Sequence, residues 1–178
     1  MTCSSNYVLA QVDTIAIIKI NAFTKYIDSI SDNDHRQKFV IQSIEEGQIS
    51  TKIVSFSSDP KTKSDTVRTI KEGGFSKYTI QNIAGDTVYR IIYHENIDKN
   101  FYETYYYKEN KLIYAKIDFQ ENGIGQTFYY REEYFKNNKV LFVNESTKLI
   151  EPLFKQKVTF DLREKGKEYF DIFQKTSK

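Results

Sequence analysis

Among the residue types that do chemistry, this chain holds two histidines and one cysteine. His35 closes the run Asp32-Asn33-Asp34-His35, a donor set that could hold calcium or a transition metal. A calcium loop needs alternating oxygen ligands, a glycine at its sharp turn and a distal acid. The glycine is missing, and a helix stop accounts for the same residues, so no metal is expected. His94 lies beside Glu95 at a strand end. A general base needs a nucleophile and a site for the charge that develops, and spacing supplies neither; a solvated histidine is expected there. Cys3 lies in a terminal run that cannot hold a nucleophile against a base. Gly123-Ile124-Gly125 lacks the third glycine and the strand–turn–helix setting of a dinucleotide site, and reads as a hairpin loop. Glu132 and Glu133 beside Arg131 could form a carboxylate pair, but neighbours on a strand face opposite ways. No catalytic residue and no cofactor follow from these positions.

Tyrosine is the stronger lead. The chain has 14 Tyr and 13 Phe against no Trp and a single Met, so flat, stiff rings must fill its interior. A tyrosine at a half-buried strand position packs its ring and keeps its hydroxyl in reach of a partner. Exposed tyrosines also suit binding surfaces, because they bury area at little entropic cost. Tyr102, Tyr106, Tyr114 and Tyr129 are the candidate ligand-binding residues; the competing reading has them covering the sheet by cross-strand packing. Cys3, followed by Ser4-Ser5-Asn6, is a candidate lipidation site, a cysteine with a polar tether after it. That reading expects a signal segment ahead of the cysteine.

Several classes are disfavoured by composition. Over 178 residues, 39% are hydrophobic and 28% charged, which suits one globular domain rather than a disordered chain. With 7 Gly and 2 Pro there is no linker-like stretch to divide it. The 26 basic and 24 acidic residues are interspersed, giving +2 without the basic face that a nucleic-acid binder needs. No run of 18 apolar residues is present, so no transmembrane segment is expected. A single cysteine cannot build a disulfide framework.

The elements that must position these residues follow from periodicity. Residues 1–12 read as a flexible tether, and 13–175 as a single α+β domain. Ile15, Ile18, Ala22 and Tyr26 recur at helical spacing, flanked by Ile20, Phe23, Ile27 and Ile30, which predicts a helix from about Asp13 to Ser31. Asp13 or Thr14 caps its start. Runs 38–44 and 49–56 predict two strands joined by a hairpin turn at Glu45-Glu46-Gly47-Gln48. Runs 66–70 and 75–83 predict two more around Glu72-Gly73-Gly74. Ala84-Gly85-Asp86 then turns into a strand over 87–94. Residues 101–143 hold thirteen of the 27 aromatic residues and an internal repeat. Tyr106-Tyr107-Lys108-Glu109-Asn110-Lys111-Leu112-Ile113-Tyr114 is matched 28 residues later by Tyr134-Phe135-Lys136-Asn137-Asn138-Lys139-Val140-Leu141-Phe142. Each copy predicts a hairpin with Asn at a positive-φ position. Along 101–107, one face carries Phe101, Tyr105 and Tyr107, the other Tyr102 and Tyr106. Glu151-Pro152 opens a C-terminal helix with Phe154, Val158, Leu162, Tyr169 and Phe173 on one stripe, weakened at Gly166; alternatively 158–160 is a last strand and only 162–175 is helical. The sum is an antiparallel β-meander of about six to eight strands packed against N- and C-terminal helices.

In this order of elements, the chain resembles a group of small uncharacterised secreted or lipid-anchored proteins of Gram-negative bacteria. The matching residues are Ser43-Ile44-Glu45-Glu46-Gly47, Tyr106–Ile113, Tyr134–Leu141 and Lys165–Phe173, over about two-thirds of the chain. Asn110 and Asn138 stand where the group usually has glycine. The resemblance implies a fold and a compartment, the cell envelope, and no activity. The expected function is a non-enzymatic envelope protein that binds a protein, glycan or lipid on an aromatic sheet face. Alternatives are a cytoplasmic interaction module of immunity or antitoxin type, and an enzyme marked by a deep pocket of convergent polar groups. The open edges of a meander also allow a homodimer through a sheet edge.

Overall fold

The computed structural model describes residues 13–30, 39–55, 67–97, 100–120, 127–146 and 161–176. Helix α1 (Thr14–Asp28) comes first, with Asp13 as its N-cap accepting from the Ala16 N–H at 3.0 Å. Seven strands follow among the described residues: β1 (Phe39–Ser55), β2 (Val67–Asn82), β3 (Val88–Glu95), β4 (Asn100–Lys108), β5 (Lys111–Gln120), β6 (Thr127–Lys136) and β7 (Lys139–Glu145). Each described strand pairs antiparallel with the next, so the sheet is an unbroken meander. Helix α2 (Leu162–Thr176) ends the described chain. Asp161 caps it, its Oδ1 accepting from the N–H groups of Arg163 at 2.8 Å and Glu164 at 3.2 Å.

The helices lie on opposite faces of the sheet. On one face, Ile20, Ile27 and Ile30 of α1 and its exit pack with Ile80, Tyr106, Tyr114 and Tyr134. On the other, Leu162, Tyr169 and Phe173 of α2 pack with Phe101, Tyr105, Tyr107 and Phe119. Strand alternation produces this split: odd positions of β4 face α2, and Tyr102 and Tyr106 face the α1 side. Hydroxyls of buried tyrosines tie the layers together. Tyr134 donates to Asn21 at 3.0 Å, Tyr106 to Asp28 at 2.5 Å, and Tyr107 to the Gly166 carbonyl at 2.6 Å.

The repeat is two hairpins of the same build. Glu109-Asn110 and Asn137-Asn138 are two-residue turns with positive φ at both positions, the type I′ geometry that matches strand twist. Each hairpin has a register shift at the same place, Tyr106/Tyr107 in the first and Tyr134/Phe135 in the second. Gly85 takes a φ of +73° in the β2–β3 turn. That turn is held by the Asn82 side chain, which accepts from the N–H groups of Asp86 and Thr87.

Three expectations are corrected. Residues 45–48 are not a turn: β1 runs through them, with a bulge between Ser43 and Glu45. Gly47 pairs with Phe75, and a Cβ on Gly47 would come within 2.8 Å of that ring, so the glycine makes room for an aromatic rather than for positive φ. Residues 72–74 are likewise inside β2, and a Cβ on Gly73 would meet the Ile97 backbone at 2.6 Å. On α1, the stripe of Ile15, Ile18 and Tyr26 faces outward (68%, 61% and 54% exposed), and the flanking Ile20 and Ile27 are buried. The hydroxyls of Tyr134 and Tyr106 require Asn21 and Asp28 underneath, and that selects the buried arc. Gly166 also has a positive reason: a Cβ there would meet Leu112 and Tyr105, both at 2.9 Å. Residues 151–160, where helix and strand were both open, lie outside the described residues.

Candidate functional site

Between α2 and the strands β1–β4 lies a cavity of about 520 Å³. Its floor is a two-row block read from the strand register. Phe75, Glu95 and Phe101 lie side by side on β2, β3 and β4, and Lys77, Tyr93 and Glu103 form the next row. All six have the parity that faces α2, so one alternating pattern on three strands builds the floor. α2 supplies the roof with Lys165, Glu168 and Tyr169.

Two of the floor residues are buried carboxylates, Glu95 at 6% exposure and Glu103 at 4%. Buried charge is tolerated only with hydrogen-bond partners, and tyrosines provide them. Tyr93 donates to Glu95 at 2.7 Å and Tyr105 to Glu103 at 2.7 Å. The Tyr169 hydroxyl, brought in by α2, also bonds to Glu103. Burial raises the Glu103 pKa, and the bonds from Tyr105 and Tyr169 and the charge of Lys165 oppose that rise. Burial, then the charges of Glu103 and Glu45, push the Tyr93 phenol up to about 12. Tyr105 and Tyr169 are raised for the same first reason, with Glu103 adding to it. At neutral pH these phenols therefore keep their protons and act as donors.

Each of the two lysines that line the cavity, Lys77 in the floor and Lys165 in the roof, has an acidic partner. Lys77 Nζ is 2.5 Å from Glu45, and Lys165 Nζ is 3.0 Å from Glu168. Both ammoniums also stand against the Tyr169 ring, at 5.5 Å and 4.9 Å from its centroid, within cation–π range.

The four sequence-predicted tyrosines do not share one surface; only Tyr106 and Tyr114 meet, edge to face with ring centroids 5.5 Å apart. Tyr106 and Tyr114 are buried beneath α1, where Tyr114 donates to Glu132 at 2.9 Å. Tyr129 is buried on the α2 face and donates to Glu145. Tyr102 alone is half-buried at the surface, stacked on His94 with ring centroids 4.4 Å apart. His94 itself approaches Asn100 at 3.1 Å and faces away from the cavity. Glu132 and Glu133 separate as the alternation requires: Glu132 holds Tyr114 and Asn144, and Glu133 pairs with Arg131. Cys3 and His35 lie outside the described residues. Among the described residues, no His, Cys, Asp and Glu cluster could hold a metal, and no helix is long and apolar enough to cross a membrane.

The cavity residues were missed by motif reading because they form no motif. The signal was parity: Tyr93 with Glu95, and Phe101 with Glu103 and Tyr105, put an acid on a strand face otherwise made of rings. In comparisons with known proteins, no family model, curated sequence or solved structure matches this chain.

Proposed function

We propose that the protein is a non-enzymatic binding protein of the cell envelope, holding a small ligand between α2 and the aromatic face of β1–β4. The observation that carries this reading is the cavity itself. It combines ring walls with a few polar groups whose orientation is preset by tyrosine–carboxylate bonds, the usual make-up of a small-molecule site. The aromatic sheet face expected from the sequence is retained, with Phe75, Tyr93 and Phe101 in place of the four tyrosines first singled out. The envelope assignment rests on Cys3 with its polar tether and on the resemblance described above. The genomic sequence ahead of Met1 tests it: a basic stretch, an apolar stretch and a small residue before the cysteine support it, and a true start at Met1 removes it.

A thermal-shift screen over chemically diverse small molecules tests the binding reading. A ligand of the cavity raises the melting temperature of the wild type and not of Tyr169→Ala. Tyr102→Ala, on the opposite face, leaves the shift intact. If every hit survives Tyr169→Ala, the site is elsewhere.

A second reading is favoured by one observation. A buried carboxyl with a raised pKa, Glu103, has a second carboxylate, Glu95, on the adjacent strand, which is the arrangement of a general acid–base pair. Turnover of chromogenic glycosides and esters that is lost in Glu103→Gln would favour this enzyme reading over binding.

A further inference from the structure

We infer that the outer face of α1 is a membrane-contact surface that lies flat on anionic lipid. It is on the side of the sheet opposite the cavity, and the inference rests neither on the ligand reading nor on Cys3.

α1 is apolar on two sides. Ile20, Thr24 and Ile27 are buried against the sheet, and Ile15, Ile18, Ala22 and Tyr26 are exposed on the other side. At about 100° per residue, these four outward residues fall within an arc of about 80°. Lys25 and Lys19 border that arc, each about 20° beyond it and on opposite sides. Both lysines are exposed, and neither forms an ion pair among the described residues. The acids at the two ends of the helix, Asp13 and Asp28, lie on its sheet side and are taken by Lys136 and Arg90. Lys108, at the end of β4, stands 5.9 Å from the Phe23 ring centroid and adds a third exposed cation on the Lys19 flank. The outward arc is thus an apolar stripe with cationic borders and no acid.

That layout selects what covers it. Two copies of this chain packed antiparallel about Ala22 would set Lys19 of one against Lys25 of the other, and like charges across an interface disfavour the pair. A protein groove takes up an amphipathic helix that stands free, whereas α1 is fastened to a sheet and offers only a low ridge. A bilayer surface accepts such a ridge. The isoleucines enter the acyl boundary, the lysine stems lie along it with their ammoniums at the phosphates, and the Tyr26 ring sits between. Cationic borders specify anionic lipid. With so few side chains inserted, the contact is weak and reversible.

The chain has no tryptophan, so Ile18→Trp places a single fluorescent reporter on the stripe. In buffer its emission should be that of a water-exposed indole at every protein concentration. Vesicles of phosphatidylglycerol and phosphatidylcholine in equal parts should shift it to the blue, and pure phosphatidylcholine should not. Adding Lys19→Gln and Lys25→Gln should weaken the apparent affinity for the mixed vesicles more than tenfold, and added salt should weaken it as well. Ile172→Trp, on α2 across the sheet, should not shift. Wild-type chain should sediment with the mixed vesicles alone, a result that needs no variant. The inference is overturned if the reporter is already blue in buffer. Emission that tracks concentration would then assign the stripe to a second copy, and emission that does not would assign it to the chain's own residues. It is equally overturned if anionic vesicles leave the reporter and the wild type unmoved, if neutral vesicles act as strongly, or if the shift survives loss of both lysines. None of these outcomes bears on a signal segment ahead of Cys3 or on a Tyr169-dependent ligand.

Discussion

Glu103 is the residue on which charge, burial and the cavity meet. Its folded pKa is raised from 4.5, chiefly by burial. An acid whose folded pKa exceeds its unfolded value binds its proton more tightly when folded. The stability it contributes is present at low pH and is lost as pH rises from about 4.5 through the folded value. Glu103→Gln removes that loss. Relative to wild type, the variant should gain stability with rising pH inside this window, by at most about 1.4 kcal/mol per unit. Urea unfolding at several pH values measures it; a constant difference between the two proteins would show that the carboxyl keeps an ordinary titration. The same residue shows what was legible beforehand. Its parity with Phe101 and Tyr105 was visible, but its partner Tyr169 lies on a helix whose docking direction no local pattern specifies.

Among the elements, α2 and the first repeat hairpin make the sharpest predictions. Gly166 is buried in α2, and exchanging it for alanine would gain about 1 kcal/mol of helix propensity. The added methyl, however, meets Leu112 and Tyr105 at 2.9 Å. Leu112 is partly exposed and can swing aside; Tyr105 is fully buried and its hydroxyl is held by Glu103. Overpacking of this kind costs about 1–3 kcal/mol, so Gly166→Ala should lower stability on balance, as read by denaturant midpoint. Glu109 occupies a positive-φ turn position at φ 52°, where the second hairpin has Asn137. Glu109→Asn should stabilise by about 0.5–1 kcal/mol, because Asn tolerates the left-handed region better, and a thermal melt would show it.

Periodicity located α1, the β3 strand and both repeat hairpins, because each of these is specified by its own residues; of the C-terminal helix it located 162–175, but the described helix begins at Leu162 under the Asp161 cap and not at Glu151-Pro152. It failed where a glycine inside a strand imitates a turn. Gly47 and Gly73 answer to Phe75 and to the backbone near Ile97, neighbours supplied only by the folded sheet. It also misplaced the buried arc of α1, since both arcs are apolar and the choice is made by polar partners on the sheet.

At the scale of the whole molecule, tyrosine–carboxylate bonds recur on both faces: Tyr93–Glu95 and Tyr105–Glu103 beneath α2, Tyr106–Asp28 and Tyr114–Glu132 beneath α1. Burial raises the phenol pKa in every one of these, and the adjacent carboxylate adds to it in Tyr105, Tyr106 and Tyr114. A phenol that keeps its proton longer when folded contributes stability that is complete below its unfolded pKa and fades as pH climbs past about 10. A spectrophotometric titration should therefore show these buried phenols ionising above the ordinary value, together with loss of the circular-dichroism signal. Ionisation of these four at the ordinary value without unfolding would contradict their burial.

The bonds that fasten α1 to the sheet also keep a common measure. Asn21 and Asp28 are seven residues apart, two helical turns or about 10.5 Å. Their partners Tyr134 and Tyr106 are equivalent positions of the 28-residue repeat, on β6 and β4. Two strand spacings come to about 9.6 Å. Helix and sheet are thus commensurate, and α1 acts as a ruler laid across the strands with both of its marks aligned at once. A one-residue insertion between positions 21 and 28 would turn the second mark by about 100° and put the ruler out of step with the sheet. The repeat thereby fixes the lateral register of a helix that lies outside it.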